Sequence, residues 1–292
     1  MPALHAILVT HTPQRLRRTI LGIAASTRAP DTLTLTCDGD DPEIERAARD
    51  ACAEAAIPLT LITRAHTGAG RAAQARNNAI RHLINRGIAP EDRLVFLDAD
   101  CIPLAHTLAF HDKALASRDL VLGWRYDLTE QQDETLDEAA LRAGRMPFNP
   151  TPEQDRALAR RERRWKRQAL LRRLGAGRIR GKQHKPKLIT ANFACTAAIY
   201  RAVNGHDETF QGWGQEDDDL ARRIYRAGGR PRVAIRDCLV LHQFHITRAP
   251  GDWQQSPNAK RLLQPCATVA QRGVENPIEQ GEVVIKKLAG KP

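Results

Sequence analysis

Residues 94–100 read LVFLDAD, an apolar run of four residues that passes directly into two aspartates one residue apart. Three other short strand patterns precede it, and helical patterns separate them. The strand patterns lie at 4–9, 32–36 and 59–63, and the helical patterns lie at about 16–26, 43–56 and 71–85. Short strands that alternate with helices at this spacing predict an α/β fold, with a mostly parallel central sheet flanked by helices.

The predicted strands all end in polar residues. Parallel sheets bind ligands beyond the carboxyl ends of their strands, so these residues are expected to converge on one edge. They are Thr10 and His11, Asp38, Arg64 to His66, and Asp98 with Asp100. That edge is the candidate site for a bound donor molecule.

The rhythm of strands and helices breaks between about 126 and 187. This stretch is charged, contains three prolines at 147–152 and has a long helical pattern at about 153–174. We therefore expect a single domain over 1–250, followed by a C-terminal extension over 251–292. Within the domain, 1–125 would form a donor half, 126–187 a basic helical insertion, and 188–250 an acceptor and catalytic half.

The net charge of +11 comes from one segment. Residues 156–187 hold fourteen Lys and Arg against one acid, whereas the rest of the chain holds 31 basic and 33 acidic side chains. A basic helix of this kind can lie on an anionic membrane surface. It can also bind an anionic acceptor such as an acidic polysaccharide or a phosphorylated glycolipid, or be a solvated helix without a partner. The charge favours contact with an anionic membrane or glycolipid.

Several classes of protein fit the sequence poorly. No apolar run approaches the roughly 20 residues that a membrane-spanning helix needs, and the first basic residues follow a short apolar stretch, the reverse of a signal peptide. A cytoplasmic location is expected. The six cysteines are scattered without a Cys-x-x-Cys pair, which favours free buried thiols. Aromatic residues make up only 4% of the chain, too few to suggest a stacking platform for nucleic acid.

Asp98 and Asp100 are candidate ligands of a divalent cation. Two carboxylates at a strand end can hold Mg²⁺ or Mn²⁺ against a diphosphate, because both ions accept hard oxygen ligands. The alternative is a solvated turn after the strand.

Residues 212–219 read GWGQEDDD and open a helix predicted over about 217–227. The glycines allow a tight turn, and the tryptophan between them can form a wall against the face of a sugar. The helix dipole favours one or two acids at this position. It does not explain the Gly-Trp-Gly before them, nor the repulsion among three adjacent carboxylates.

His242 and His245 follow another short apolar run, 238–241. An imidazole is a common metal ligand, so this pair can add one or two ligands to the same cation. Ordinary loop histidines are the alternative.

The motif Gly-Trp-Gly-x-Glu-Asp-x-Asp-Leu resembles the acceptor-side signature of beta-1,4-galactosyltransferases and related bacterial family 2 glycosyltransferases, including chondroitin-polymerase-like enzymes. Four stretches in the amino-terminal half look like the same superfamily, in the same order. They are LVTHTPQRLRRTI, TCDGDDPE, GAGRAAQARNNAI and VFLDADCIP. The resemblance covers about 4–103 and 188–245, and it implies a GT-A (nucleotide-diphospho-sugar transferase) fold.

The resemblance also implies roles for individual residues. The donor would be held by Thr10, His11, Asp38, Arg76, Asp98 and Ala99. The metal would be bound by Asp98, Asp100, His242 and His245. The acceptor would contact Asn192, Trp213, Gly214 and Glu216, and Asp217 would be the catalytic base.

The function implied is inverting transfer of a hexose or N-acetylhexosamine from a UDP-sugar to a hydroxyl of a saccharide or glycolipid, with Mn²⁺ or Mg²⁺, in polysaccharide biosynthesis. Two other functions stay open. A sugar-phosphate nucleotidyltransferase would need a glycine-rich loop after the first strand, where this chain has THTPQRLRR. A nucleic-acid-binding protein would fit the pI near 9.8 but leaves the carboxylate clusters unexplained, so no nucleic acid is expected as a partner.

Overall fold

The computed structural model describes residues 1–66, 68–174, 187–246, 253–279 and 281–289. Strands and helices alternate through its first part, as the sequence predicts. These elements are β1 (Leu4–Thr10), α1 (Leu16–Ala24), β2 (Thr32–Cys37), α2 (Pro42–Ala55), β3 (Leu59–Arg64), α3 (Ala72–Asn85), β4 (Arg93–Asp98), β5 (Cys101–Pro103) and α4 (Thr107–Leu115).

The remaining elements include several short strands and the long helix α7. They are β6 (Leu120–Leu122), β7 (Trp124–Asp127), α5 (Glu130–Glu134), α6 (Glu138–Arg142), α7 (Pro152–Arg173), β8 (Asn192–Thr196), α8 (Ala197–Ala202), α9 (Glu216–Arg226), β9 (Pro231–Val233), β10 (Leu239–His242), α10 (Pro257–Leu262) and β11 (Val283–Leu288).

The main sheet has the strand order β11-β3-β2-β1-β4-β8-β6-β9 within the described ranges. Strands β3, β2, β1 and β4 are parallel, and β8 lies antiparallel between β4 and β6. The register pairs Thr10 with Cys37 and Val9 with Asp98, so these strands end at one edge. The predicted α/β class with a mostly parallel sheet is confirmed.

Both faces of the main sheet are covered by apolar side chains. Ile7 and Phe96 belong to the cluster on one face, and Leu8 and Leu97 belong to the cluster on the other. Successive residues of a strand point to opposite faces, and uninterrupted apolar runs are therefore what a sheet buried on both sides requires.

A second, smaller sheet has the order β5-β10-β7 in the part of the chain that is described. Strand β10 is antiparallel to β5, which pairs His242 with Cys101, and parallel to β7, which pairs His242 with Asp127. Asp100 directly precedes β5. The register of three short strands thus places His242 between Asp100 and Asp127.

Helix α7 packs through one face against β9 of the main sheet and β7 of the small sheet. Leu158, Glu162 and Trp165 are its buried residues, and the Trp165 ring meets Trp124 of β7 edge to face, with ring centroids 5.4 Å apart. Strand β7 continues to Asp127, two residues into the stretch expected to be the insertion. Residues 175–186 of the predicted basic segment lie outside the described residues.

The C-terminal segment packs onto the same domain. Strand β11 pairs antiparallel with β3 at the edge of the main sheet, and Asn204 donates a hydrogen bond to the carbonyl of Ala270 (2.9 Å). In the described ranges, no helix combines the length and the apolar character needed to cross a membrane.

Candidate active site

Three predicted metal ligands come together at the edge of the small sheet. The Nε2 atoms of His242 and His245 lie 3.3 and 3.2 Å from Oδ2 of Asp100, and 3.2 Å from each other. The ligand atoms of the three residues all lie within 4.8 Å of one another. We call Asp100, His242 and His245 the metal-type cluster.

The loop with the two histidines is fixed by the residues between them. The backbone N–H of Gln243 donates to the carbonyl of Asp100 (2.9 Å), and the buried side-chain amide of Gln243 donates to the carbonyl of Arg15 (2.9 Å). Arg15 in turn donates through Nε to the carbonyl of Phe244 (2.9 Å). The histidine loop is therefore tied both to the aspartate loop and to the start of α1.

Asp127 is a member of the site that the sequence reasoning missed. Its Oδ1 lies 2.9 Å from Nδ1 of His242. A carboxylate that accepts this hydrogen bond fixes the ring so that Nε2 is free to bind a metal, and Nε2 is the atom that faces Asp100. No motif marks Asp127, because the contact depends on the pairing of β7 with β10.

The charges of the metal-type cluster are strongly coupled. Burial alone would raise the pKa of Asp100, but the hydrogen bond and charge of His242, together with His245, lower it to about 2. Burial would lower the pKa of His242, but Asp100 and Asp127 raise it to about 9. Asp100 and Asp127 thus stabilise a positive charge on His242. One carboxylate and two imidazoles fit a divalent cation, and imidazole favours Mn²⁺ over the oxygen-preferring Mg²⁺.

Arg76 of α3 connects the predicted donor and acceptor residues. Its guanidinium lies 3.0 Å from Oδ1 of Asp98 and 3.4 Å from Oε1 of Glu216, and its side chain is only 4% exposed. Burial raises the pKa of Asp98, although Arg76 acts in the opposite direction. Asp98 therefore pairs with an arginine beside the metal-type cluster.

The predicted nucleotide-contacting residues lie at the neighbouring strand ends. Asp38 accepts a hydrogen bond from the backbone N–H of Arg71 and lies 3.3 Å from Arg64 and 3.4 Å from His66. The Thr10 hydroxyl donates to the carbonyl of Thr12 (2.6 Å). His11 is exposed, and the Ala99 N–H donates to the carbonyl of Val9 (3.0 Å).

The Gly-Trp-Gly segment forms a tight loop before α9. Gly212, Gly214 and Gln215 have φ values of 78°, 80° and 75°, which glycine adopts readily and glutamine only at a cost. The Trp213 side chain is 51% exposed. The Gly212 N–H donates to the carbonyl of Gly70 (2.6 Å), so the loop is joined to the glycine-rich turn before α3.

The four acids that open α9 have different environments. Asp219 pairs with Arg223 in the protein interior (2.8 Å), which gives it a structural role. Burial, followed by the like charges of Glu216 and Asp218, raises the pKa of Asp217 to about 7. A carboxyl group with this pKa can accept a proton near neutral pH.

Asn192 does not join the other predicted acceptor residues. Its side chain is fully buried, and its amide donates to the carbonyls of Trp124 (2.9 Å) and Cys238 (3.0 Å). Oδ1 lies 2.8 Å from Nε2 of His111. The residue holds β7 and β10 side by side, and its contact with an acceptor stays a prediction.

Comparison with known proteins gives one partial family match. Residues 173–255 match the model described as the N-terminal domain of galactosyltransferase. The match spans β8, α8, α9, β9 and β10, and so includes the Gly-Trp-Gly loop and both histidines. No curated protein sequence matches the chain.

Solved structures extend the comparison over most of the chain. GalNAc-T7 with UDP, GalNAc and Mn²⁺ has a TM-score of 0.52 at 15% identity, over 89% of this chain and 48% of that one. Glucosyl-3-phosphoglycerate synthase from Mycobacterium tuberculosis, in complex with Mn²⁺, UDP-glucose and phosphoglyceric acid, has a TM-score of 0.50 at 12% identity, over 85% and 73% of the two chains. Together with the sheet order, these similarities show that the chain has the GT-A glycosyltransferase fold.

Proposed function

We propose that the protein is an inverting, metal-dependent glycosyltransferase of the family 2 type. It transfers a hexose or N-acetylhexosamine from a UDP-sugar to a hydroxyl of a saccharide or glycolipid. The observation that carries the proposal is the link through Arg76 between Asp98, beside the metal-type cluster, and Glu216, beside Asp217. One buried side chain thereby connects a candidate diphosphate site to the residue next to the candidate base.

In the proposed mechanism, Asp217 accepts the proton of the acceptor hydroxyl. The hydroxyl oxygen bonds to the anomeric carbon from the side opposite the diphosphate, whose bond to that carbon breaks, so the configuration inverts. Glu216 binds the attacking hydroxyl, and Trp213 packs against the face of the acceptor sugar. A divalent cation held by Asp100, His242 and His245 would supply charge stabilisation to the leaving diphosphate.

The donor class is supported by the proteins of similar fold. The GalNAc-T7 structure is a complex with UDP, GalNAc and Mn²⁺, and the structure of the mycobacterial synthase is a complex with UDP-glucose and Mn²⁺. A UDP-sugar and Mn²⁺ are therefore the first donor and cation to test on this chain.

The direct test is a screen of donors and acceptors. UDP release would be measured from UDP-galactose, UDP-glucose and their N-acetylhexosamine counterparts, with Mn²⁺ and a panel of p-nitrophenyl glycosides. We expect acceptor-dependent UDP release, and a product whose new linkage is of inverted configuration by NMR. Retained configuration would contradict the role of Asp217, and release of pyrophosphate from UTP and a sugar phosphate would indicate a nucleotidyltransferase.

The raised pKa of Asp217 predicts a specific pH dependence. Only the ionised carboxylate can accept the proton, so kcat/KM should rise with pH and level off above about 7. At pH 6 the rate should be about tenfold below the plateau, because about a tenth of the carboxyl groups would be ionised. The measurement is the initial rate from acidic to weakly alkaline pH at saturating Mn²⁺. A flat profile below pH 7 would exclude this base.

We propose that the exposed face of α7 contacts an anionic, cytoplasmic membrane surface. Residues 156–174 hold nine Lys and Arg, and their one acid, Glu162, is buried. Arg163, Arg167, Leu170 and Leu174 are all exposed, and their spacing puts them on one helix face. The leucines, 54% and 69% exposed, favour a bilayer over an acidic polysaccharide, because they can enter the interface while the arginines meet lipid phosphates.

Vesicle co-sedimentation tests this contact. The protein should bind vesicles that contain phosphatidylglycerol, lose that binding in high salt, and not bind pure phosphatidylcholine. Changing Arg163→Glu and Arg167→Glu should weaken binding by at least about thirtyfold, since each basic residue contributes about 1 kcal/mol. Arg86→Glu with Lys113→Glu is the matched control, because it changes the net charge equally at exposed positions elsewhere. An equal loss of vesicle binding in the two double variants would contradict a specific role for this face of α7.

A further inference from the structure

The helix α10 lies against the Gly-Trp-Gly loop through one side chain. Asn258 is 5% exposed, and its amide nitrogen donates to the carbonyls of Gln211 and Gly214, each at 2.9 Å. The carbonyl of Trp213 lies 3.5 Å from the same nitrogen. A single amide thus satisfies carbonyls on both sides of the exposed tryptophan.

The same helix is also attached to the helix that carries the candidate base. Arg222 of α9 is largely buried and donates to the carbonyls of Leu262, at the end of α10, and Gln264 (3.2 Å). Helix α10 therefore contacts both sides of the turn between Trp213 and Asp217. Asn258 holds the loop, and the end of α10 binds α9.

The loop requires such outside contacts. Gly212, Gly214 and Gln215 all have left-handed backbone conformations, and a residue such as Gln215 stays in this region only when its surroundings impose it. The tether from Gly212 to Gly70 holds one end of the loop. Asn258 holds the loop through the carbonyls of Gln211 and Gly214.

We propose that Asn258 is a positioning residue of the acceptor site, through which α10 fixes the loop that carries Trp213. The proposal rests on the proposed function and extends its acceptor site beyond residues 173–255, the part that matches the galactosyltransferase model. Without the amide, the carbonyls of Gln211 and Gly214 lose a buried donor, and the loop can take other conformations. The hydrogen bonds that Asn258 donates in the described structure go to this loop and not to the donor residues Asp98 and Asp38.

The test compares Asn258→Ala with Lys260→Ala, an exposed residue of the same helix. The assay uses the UDP-sugar and p-nitrophenyl glycoside of the panel that give the fastest transfer. In Asn258→Ala the KM for the glycoside should rise about tenfold, the effect of two lost hydrogen bonds, while the KM for the UDP-sugar stays within about twofold. Asn258→Ser keeps one hydrogen-bond donor, so its KM for the glycoside should lie between those of the wild type and Asn258→Ala. The serine variant also replaces the alanine variant in the test if the latter does not fold.

A second measurement separates the failure of this proposal from the failure of the proposed function. The four tryptophans are labelled as 5-fluorotryptophan, and the ¹⁹F signal of Trp213 is assigned with Trp213→Phe. Asn258→Ala should shift or broaden the Trp213 signal and leave those of Trp124 and Trp165 unchanged, whether or not an acceptor has been found. An unchanged Trp213 signal, or a KM that rises equally for donor and acceptor, would overturn the proposal.

Discussion

Replacing Asp217 by asparagine is expected to reduce sugar transfer by about 10³-fold, within the range that general-base catalysis contributes. The amide is nearly isosteric with the carboxyl group but cannot accept the proton of the acceptor hydroxyl. The affinity for UDP in the presence of Mn²⁺, measured by calorimetry, should stay within about threefold of the wild-type value. The loss should therefore appear in kcat and not in donor binding.

Asp218→Asn is the matched control for this change, because it makes the same substitution at the next position of α9. It should retain transfer and shift the midpoint of the pH profile below about 7, since the charge of Asp218 helps to raise the pKa of Asp217. Asp217→Asn with more than about a tenth of wild-type kcat would show that another group, or none, acts as base.

The main sheet was predictable because the sequence of each strand alone indicates where the strand lies. β1 contains the apolar run Ala6–Val9 and β4 the apolar run Leu94–Leu97, and each passes into polar residues at its carboxyl end. The position of Asp98 and Asp100 at the sheet edge follows from that pattern alone. The alternation of helices and strands then fixes parallel pairing, since a parallel connection needs a crossover.

The small sheet could not be predicted in the same way. Its strands have three or four residues each, too few for periodicity to indicate pairing or register. His245 meets Asp100 across 145 positions of sequence, and Asn258 meets Gln211 across 47. Such contacts exist only after the whole domain has packed, so Asp127 and Asn258 gave no local signal.

Asn192 is a predicted acceptor residue whose surroundings could not be read from the sequence. The resemblance implies that it contacts the acceptor, and in the structure its side chain is enclosed among Trp124, Cys238 and His111. A buried amide that satisfies backbone carbonyls stabilises a strand junction. Sequence pattern alone does not distinguish this role from ligand binding.

Removal of divalent metal is expected to abolish transfer, and Mn²⁺ should restore it more effectively than Mg²⁺. The metal-type cluster offers two imidazole nitrogens and one carboxylate, and Mg²⁺ prefers oxygen ligands throughout. After treatment with a chelator, activity would be titrated with each ion. Binding of Mn²⁺ alone would be followed by the loss of its free-ion EPR signal, which does not depend on turnover.

Substitutions in and around the metal-type cluster should weaken Mn²⁺ binding to different degrees, according to the contact that each one removes. Asp100→Ala and His242→Ala should weaken Mn²⁺ binding by on the order of 100-fold or more, since each removes a ligand and Asp100 contacts both imidazoles. Asp127→Asn should weaken it by about 10–100-fold, the usual effect of losing a carboxylate that orients a metal-binding histidine. Asp237→Asn, an exposed carboxylate just before β10, should leave Mn²⁺ binding unchanged.

Substitution of Asp98 should separate binding of the UDP-sugar from binding of the metal. Because it pairs with Arg76 and lies outside the metal-type cluster, Asp98→Asn should weaken binding of UDP-sugar more than binding of Mn²⁺ alone. If Asp98→Asn weakened Mn²⁺ binding as much as Asp100→Ala, both aspartates would have to be ligands. If neither change affected Mn²⁺ binding, the metal-type cluster would not be the metal site.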